Sequence, residues 1–367
     1  MERSGRSMET LSKKFPKLAL WERGEVSPTL KQLEDFARAT HTPFGFFFLP
    51  QPPVEQIPIP DFRTAGNVRV ERPSPDMLDT IYLCQQRQEW YRDFARSIGE
   101  APCRFVGAAN LNSDIGATAE EMSKALKFKL NERRLLPTWT DALRRFIEQA
   151  DELGVLVMVS GVVGNNNRRK LDPQEFRGFA LADNLAPLVF INGADTKAAQ
   201  MFTLAHELAH IWLGESALSD VEPMSAPSQR VEEWCNAVAA ELLVPLAEIR
   251  NEYQSNEVLG KEINRLARYF KVSTLVIIRR IYDIGGLTEV QLRQAYDEEL
   301  QRLRAIPKSK GGDFYLTQAM RMGKRFVRAL IISTLEGQSS FSEAFRLLGV
   351  KKMATFNDLG NSLGVII

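Results

Sequence analysis

Two of the three histidines in this 367-residue chain, His206 and His210, stand four residues apart, with Glu207 between them. Residues i and i+4 of a helix lie on the same face, so both imidazoles can reach one metal ion. Imidazole nitrogens bind zinc at about 2.0–2.1 Å, and a glutamate beside the first ligand can take a proton from a coordinated water. The spacing therefore predicts a zinc-peptidase active-site helix with Glu207 as general base.

The sequence on both sides of this motif favours such a helix. Asp195 or Thr196 can cap its beginning, and Gly214 can end it, so the histidines would lie well inside the element. Upstream, the apolar residues 188–191 are followed by Asn-Gly, which predicts a strand and a turn. Two interpretations of this strand stay open: an ordinary core strand, or an edge that pairs with an extended polypeptide substrate.

A catalytic zinc site needs a third protein ligand and one open position. The remaining histidine, His41, lies in a different part of the sequence, so a carboxylate or a thiolate must serve. A second helix is predicted over residues 230–245, where Pro245 ends it. Near its start it offers three candidate ligands: Glu232, Glu233 and Cys235.

The HELAH motif and the sequence EEWCNAVAAELLVP of residues 232–245 together resemble the ImmA/IrrE-type zinc metallopeptidases, a branch of the gluzincins. In gluzincins the glutamate ligand stands four residues before an Asp or Asn that supports the first histidine. The resemblance thus implies Glu232 as third ligand and Asn236 as its supporting residue. Glu233 would point about 100° away around the helix, and Cys235 would be a small buried filler. The implied cofactor is Zn²⁺, although Mn²⁺ or Fe²⁺ could use the same donors.

The first fifty residues carry a second resemblance. Helices are predicted over 8–15, 17–25 and 30–38, and the sequence WERGEVSPTL resembles the end of the recognition helix and the following Pro-Thr of an Xre-type helix-turn-helix. The helix that leads a complete domain of this type is not matched. Lys13, Lys14 and Lys17 could contact phosphates. A DNA reader and a vestigial or dimerising scaffold therefore both stay open.

The predicted fold class is α+β: a zincin-like metallopeptidase core with a small sheet, flanked by helical regions. Further helices are predicted over 76–98, 122–130 and 139–153, and strands over 155–163 and 176–181. The predicted domains are 1–52 (partial helix-turn-helix), 53–75 (proline-rich linker), 76–250 (metallopeptidase), 251–306 (helix-turn-helix-like segment) and 307–367 (C-terminal helical region). In 251–306 a basic cluster keeps DNA contact open as an alternative; it comprises Arg265, Arg268, Lys271, Arg279 and Arg280.

The composition fits an enzyme of the cytoplasm. The 47 basic and 46 acidic residues nearly cancel, which argues against a chain-wide nucleic-acid surface. The three cysteines form neither a disulfide framework nor a CxxC site. No secretory signal is visible, and the longest apolar run, residues 155–163, is too short to span a bilayer.

Together these features predict an endopeptidase that cleaves a specific protein. Relatives of the ImmA/IrrE type cleave helix-turn-helix repressors to release stress or mobile-element genes, which implies such a repressor as substrate. The alternative is a DNA-binding regulator, or an antitoxin-like partner of a toxin, that uses the peptidase fold for protein contact. The oxyanion-stabilising group is not identified, and a homodimer remains an open alternative to a monomer.

Overall fold

The fold is built around a four-stranded sheet. A computed structural model describes residues 7–51, 53, 55–61, 73–219, 230–305 and 319–365. The strands are β1 (Leu156–Ser160), β2 (Gly178–Leu181), β3 (Leu188–Asn192) and β4 (Ala217–Ser219). They are arranged in the order β1-β3-β2-β4, with β1 parallel to β3 and the other two pairs antiparallel. The mixture of helices and a small sheet confirms the predicted α+β class.

Every strand residue is buried, because helices cover both faces of the sheet. Val157, Val189 and Ile191 face the larger core, which is shared with the helix that carries the histidines. Their neighbours Met158, Leu188 and Phe190 face the opposite core. This alternation of one residue to each face is the geometry of a β-strand.

The helices follow the chain from end to end. The first part contains α1 (Met8–Lys14), α2 (Leu18–Glu22), α3 (Leu30–Thr40) and a 3₁₀ turn (Phe44–Phe48). The middle contains α4 (Pro75–Ser97), α5 (Ile115–Ala125), α6 (Leu130–Arg134), α7 (Trp139–Leu153), α8 (Lys197–Leu213), α9 (Arg230–Leu243), α10 (Leu246–Glu252), α11 (Leu259–Phe270), α12 (Thr274–Asp283) and α13 (Glu289–Arg304). The last part contains α14 (Lys324–Leu335), α15 (Phe341–Leu348) and α16 (Met353–Ser362).

Helix α4 and the last three helices form the layer behind the sheet. Phe326 of α14 and Phe356 of α16 are fully buried there with Phe190 of β3. Arg87 of α4 fixes α15 from within this layer, since its Nε and Nη2 donate to the carbonyl of Leu347 at 3.1 and 3.0 Å. The C-terminal region thus supports the sheet from the side opposite the histidine-bearing helix.

The first three helices have a small core of their own. Leu11, Phe15, Leu18, Phe36 and Ala39 make up its buried residues. The helices lie where the sequence predicts them, and Thr29 caps α3 with a complete capping box. Their resemblance to a DNA-binding unit stays a prediction.

Three expectations differ from the structure. The helix predicted over 122–130 is wrong, because α5 begins at Ile115, where the Asp114 carboxylate caps it, and ends at Ala125, before Lys127 takes a positive φ of 54°. Strand β4 was not predicted. The substrate-pairing edge proposed for residues 188–191 is also wrong, since β3 pairs with β1 on one side and β2 on the other.

Within the predicted proline-rich linker 53–75, residue 54 and residues 62–72 lie outside the described residues. The predicted domain boundaries therefore stay predictions. Across the described ranges, no helix is both long enough and apolar enough to cross a membrane.

Candidate metal centre

Helix α8 holds the HELAH motif in the middle of the larger core. The Thr196 hydroxyl caps its start by accepting from the Ala199 amide, and Gly214 ends it in the left-handed region with a φ of 72°. Two carbonyls of its last turn accept hydrogen bonds from a neighbouring loop. The Gly107 amide donates to the carbonyl of Ile211 at 3.2 Å, and the Ala109 amide donates to the carbonyl of Trp212 at 2.9 Å. Since both ends are satisfied and all side chains from 200 to 212 are buried, the histidines stand on a rigid element.

Helix α9 packs against α8 and brings Glu232 in its first turn to the histidines. At the other end of α9, two buried arginines donate hydrogen bonds to carbonyls of the chain. The Arg280 Nε donates to the carbonyl of Val244 at 2.9 Å, and Arg133 donates to the carbonyl of Leu243. These contacts fix α9 along its axis, and so they set the height of Glu232 beside α8.

His206, His210 and Glu232 meet at one point. Nε2 of His206 lies 3.2 Å from Oε2 of Glu232, Nε2 of His210 lies 3.0 Å from Oε1, and the two Nε2 atoms are 3.1 Å apart. Among the described residues, this trio is the group of His, Cys, Asp and Glu side chains whose donor atoms converge on a common point. For metal–ligand bonds of about 2.0 Å, the edge of a tetrahedron is about 3.3 Å. The two imidazole nitrogens, and each nitrogen and its nearer Glu232 oxygen, are therefore spaced like neighbouring ligands of a tetrahedral zinc ion.

The pKa shifts of His210 and Glu232 suit a bound cation. Burial lowers the pKa of His210, although Glu232 opposes the change, so its imidazole stays neutral. Burial acts to raise the pKa of Glu232, but the two imidazoles outweigh it and hold the pKa at about 2. A neutral imidazole at His210 and a charged carboxylate at Glu232 are ligand forms that a metal requires.

Glu207 is fully buried beside these ligands. Burial raises the pKa of its carboxyl well above the usual range, and the charge of Glu232 raises it further. Among the described residues, neither of its carboxylate oxygens has a hydrogen-bond partner. A buried carboxylate with raised pKa next to convergent metal ligands is a group suited to moving a proton.

The other candidates lie apart from the trio. Glu233 is exposed on the far side of α9. Cys235 is fully buried, and burial raises the pKa of its thiol well above normal, so the thiolate form is disfavoured. His41 ends α3 in the N-terminal helices. Oδ1 of Asn236 and Nδ1 of His206 each lack a hydrogen-bond partner among the described residues, so the supporting role of Asn236 stays a prediction.

Two residues near Glu207, Gly178 and Ser219, were not predicted from the sequence as part of the site. Gly178 begins β2 and Ser219 ends β4, and the two form a cross-strand pair. The Ser219 Oγ lies 3.4 Å from Nε2 of His210. A lone glycine before an apolar segment and a lone serine after one carry no motif, so only their pairing in the sheet reveals their position.

Two parts of the chain match protein-family models. Residues 150–282, which run from the end of α7 to α12, match the model of the IrrE N-terminal-like domain family (Peptidase_M78). This part of the chain is similar to the IrrE N-terminal-like domain. The family is one of metallopeptidases, so the domain is of a peptidase type and a metal cofactor is indicated. The predicted ImmA/IrrE resemblance is thereby confirmed for this region.

A second family match covers the layer behind the sheet. Residues 322–362 match a domain of unknown function (DUF8813). They contain α14, α15 and α16, the helices that pack with α4 against the sheet. No curated protein matches the chain.

Proposed function

We propose that the IrrE N-terminal-like domain is a zinc-dependent endopeptidase of the gluzincin type, with His206, His210 and Glu232 as metal ligands and Glu207 as general base. The observation that carries this proposal is the buried cluster of two imidazole nitrogens 3.1 Å apart and the Glu232 carboxylate, whose two oxygens lie 3.0 and 3.2 Å from those nitrogens, beside the helix that presents Glu207. The lone pairs of nitrogen and oxygen atoms this close together repel one another unless a cation or protons lie between them. Two imidazoles and one carboxylate are a common ligand set of catalytic zinc.

The residues of the chain divide the chemical work. A bound zinc ion would supply Lewis acidity, which polarises a peptide carbonyl and lowers the pKa of a water molecule. Glu207 takes the proton of that water and passes it to the leaving amine. Its raised pKa makes it a stronger base than an exposed glutamate. The closed packing around α8 limits the water that can reach this carboxylate, which strengthens its interaction with nearby charge.

The proposed substrate is a specific protein, and a helix-turn-helix repressor is the leading class. Support comes from the ImmA/IrrE-type resemblance, whose members cleave such repressors in stress or mobile-element regulation. Within the sheet, β3 is internal, and the outer edge of β4 is covered at Leu218, whose amide donates to the carbonyl of Pro60 at 2.9 Å. We therefore place no part of the substrate on these strands.

The alternative of a DNA-binding regulator receives no support from the second helix-turn-helix-like segment. Helix α12 is buried along most of its length, including Arg280. The Arg265 Nε donates to Glu262 at 2.8 Å, and the Arg279 Nε donates to Asp283 at 3.0 Å. Arg280 is thus used within the fold, whereas Arg265 and Arg279 belong to ion pairs at the surface and Arg268 is exposed, so DNA contact by this segment stays the alternative.

The decisive experiment compares wild type with Glu207→Gln and Glu233→Gln. Glu207→Gln removes the proposed base with little change in shape, and Glu233→Gln is a matched change on an exposed position of α9. Metal content is measured for each protein, and cleavage is tested on candidate repressor proteins encoded beside the gene and on a peptide library. We expect about one zinc per chain in all three proteins and cleavage by wild type and Glu233→Gln alone. Cleavage by Glu207→Gln at the wild-type rate would contradict the proposal.

A further inference from the structure

The Gly178–Ser219 pair lies directly under the Glu207 carboxylate. A Cβ atom built on Gly178 would come within 3.0 Å of Oε1 of Glu207, 2.6 Å of Cγ2 of Thr203 and 2.8 Å of the carbonyl oxygen of Phe190. All three distances are shorter than the usual contact of a carbon atom. A residue with a side chain at 178 would therefore displace Glu207, or would force β2 away from α8.

Ser219 reaches the same place from the next strand. It is fully buried, it pairs with Gly178 in the sheet, and its Oγ lies 3.4 Å from Nε2 of His210. An imidazole nitrogen has one lone pair, which cannot both accept a hydrogen bond and bind a metal ion. If His210 is a ligand through Nε2, the Ser219 hydroxyl must donate to another acceptor, because a buried hydroxyl without a partner is costly.

The Glu207 carboxylate is the acceptor that fits. Gly178, the cross-strand partner of Ser219, lies so close to this carboxylate that a Cβ built on it would come within 3.0 Å of Oε1. Neither Glu207 oxygen has a hydrogen-bond partner among the described residues. A hydroxyl that needs an acceptor thus stands next to a carboxylate that needs a donor.

We propose that Gly178 and Ser219 form a Glu207 pocket, in which Gly178 leaves room for the carboxylate and Ser219 donates the hydrogen bond that orients it. Ser219 and Gly178 are then positioning residues, since they act on the reaction through Glu207. The inference rests on the proposed function of Glu207 as general base. A glutamate side chain has three rotatable bonds, so a fixed donor and a fixed wall restrict it to the orientation in which it can take a proton.

The first test uses Ser219→Ala and Ser219→Thr, with zinc affinity, kcat and KM measured for each. A hydrogen bond to a charged group corresponds to a rate factor of about ten to one hundred. Ser219→Ala should therefore bind zinc within about threefold of wild type and lose about ten- to hundredfold in kcat, with KM little changed. Ser219→Thr keeps the hydroxyl and should recover most of kcat. Wild-type kcat in Ser219→Ala would overturn the proposal, as would a large loss of zinc affinity, which would assign the hydroxyl to His210 instead.

The second test addresses the wall of the pocket. Gly178→Ala is compared with Gly260→Ala, a matched change in α11 where a new Cβ meets nothing within 4 Å. We expect Gly178→Ala to lose kcat while it still binds zinc, and Gly260→Ala to match wild type. Equal kcat in the two variants would overturn the role of Gly178.

A structural readout separates this inference from the proposed function. In a crystal structure of the zinc-loaded wild type, Ser219 Oγ should lie about 2.6–2.8 Å from a Glu207 oxygen. In zinc-loaded Ser219→Ala, Glu207 should leave this orientation or occupy more than one. These structures decide the question even if wild type binds zinc and cleaves no protein, a result that refutes the peptidase function alone. A Glu207 carboxylate in the same place in both structures would overturn the pocket.

Discussion

Replacing Glu232 by glutamine should remove most of the metal affinity and leave the fold intact. The side chain is only 4% exposed, and its two oxygens lie 3.0 and 3.2 Å from the Nε2 atoms of His210 and His206. Glutamine has nearly the same shape but no charge, and one of its two terminal groups is an NH₂ donor. That NH₂ can donate to an imidazole nitrogen, which would occupy the lone pair that a metal needs.

The size of the effect follows from the number of ligands. Structural zinc sites with four protein ligands bind with about 10–16 kcal/mol, or about 2.5–4 kcal/mol for each ligand. Loss of one ligand from the trio of His206, His210 and Glu232 should therefore weaken binding by about 10²- to 10³-fold. The loss of negative charge adds to this effect, because Glu232 is the one anionic ligand of the trio and its pKa is held at about 2.

The assay is a competition titration of the metal-free protein with a chromophoric zinc chelator. Glu233→Gln is the control, since it makes the same change one residue away on an exposed position of α9. Circular dichroism of the metal-free proteins checks that α9 still folds. Zinc affinity of Glu232→Gln within threefold of wild type would refute the assignment, and an equal loss in Glu233→Gln would show that the helix, not the ligand, was affected.

Three further predictions concern stability. Burial raises the pKa of Asp151 from 3.8 to about 6, so this carboxyl destabilises the fold increasingly as the pH rises from about 4 to 6. In urea unfolding, Asp151→Asn should therefore raise the free energy of unfolding by about 1–3 kcal/mol at pH 8 and leave it unchanged near pH 3.8. An equal gain at both pH values would contradict the assignment. Arg87→Leu leaves the Leu347 carbonyl without its buried donor, so the free energy of unfolding in urea should fall by about 2–4 kcal/mol. A loss below about 0.5 kcal/mol would show that this contact does not hold α15. A chelator should lower Tm in calorimetry, and added zinc should restore it. Free zinc at a hundredfold excess over Kd should stabilise the folded protein by about 3 kcal/mol. No shift in Tm would contradict a metal site in the folded protein.

The sequence and the family resemblance together predicted that His206, His210 and Glu232 form one group, and their donor atoms lie close together in the structure. The four-residue spacing of His206 and His210 fixes their common face once α8 is a helix, and the cap at Thr196 and stop at Gly214 fix the helix. The family resemblance supplied the register of Glu232. It could do so because a helix of this length has only one face toward α8, and Glu233 then turns outward.

The remaining features depend on contacts between distant parts of the chain. Strand β4 has three residues, too few to show an alternating pattern, and it forms because β2 offers it a partner. The strand at 188–191 looked equally suited to an edge or a core, since periodicity does not reveal the neighbours of a strand. The back layer of α4 and α14 to α16 was predicted as helices, but its place behind the sheet follows from apolar faces that only meet in three dimensions.

The position of Glu207, the proposed general base, depends on the sheet as much as on its own helix. Thr203 and Glu207 stand one turn apart on α8, and both reach the space that the missing side chain of Gly178 leaves in β2. Because Gly178 pairs with Ser219, a shift of β4 would move the hydroxyl and the wall of the pocket together. Leu218, the residue before Ser219, is held by the carbonyl of Pro60, which ties β4 to a segment far away in the sequence. If Glu207 is the general base, the HELAH helix determines which groups can react, while the pairing of β2 with β4 determines where Glu207 is held.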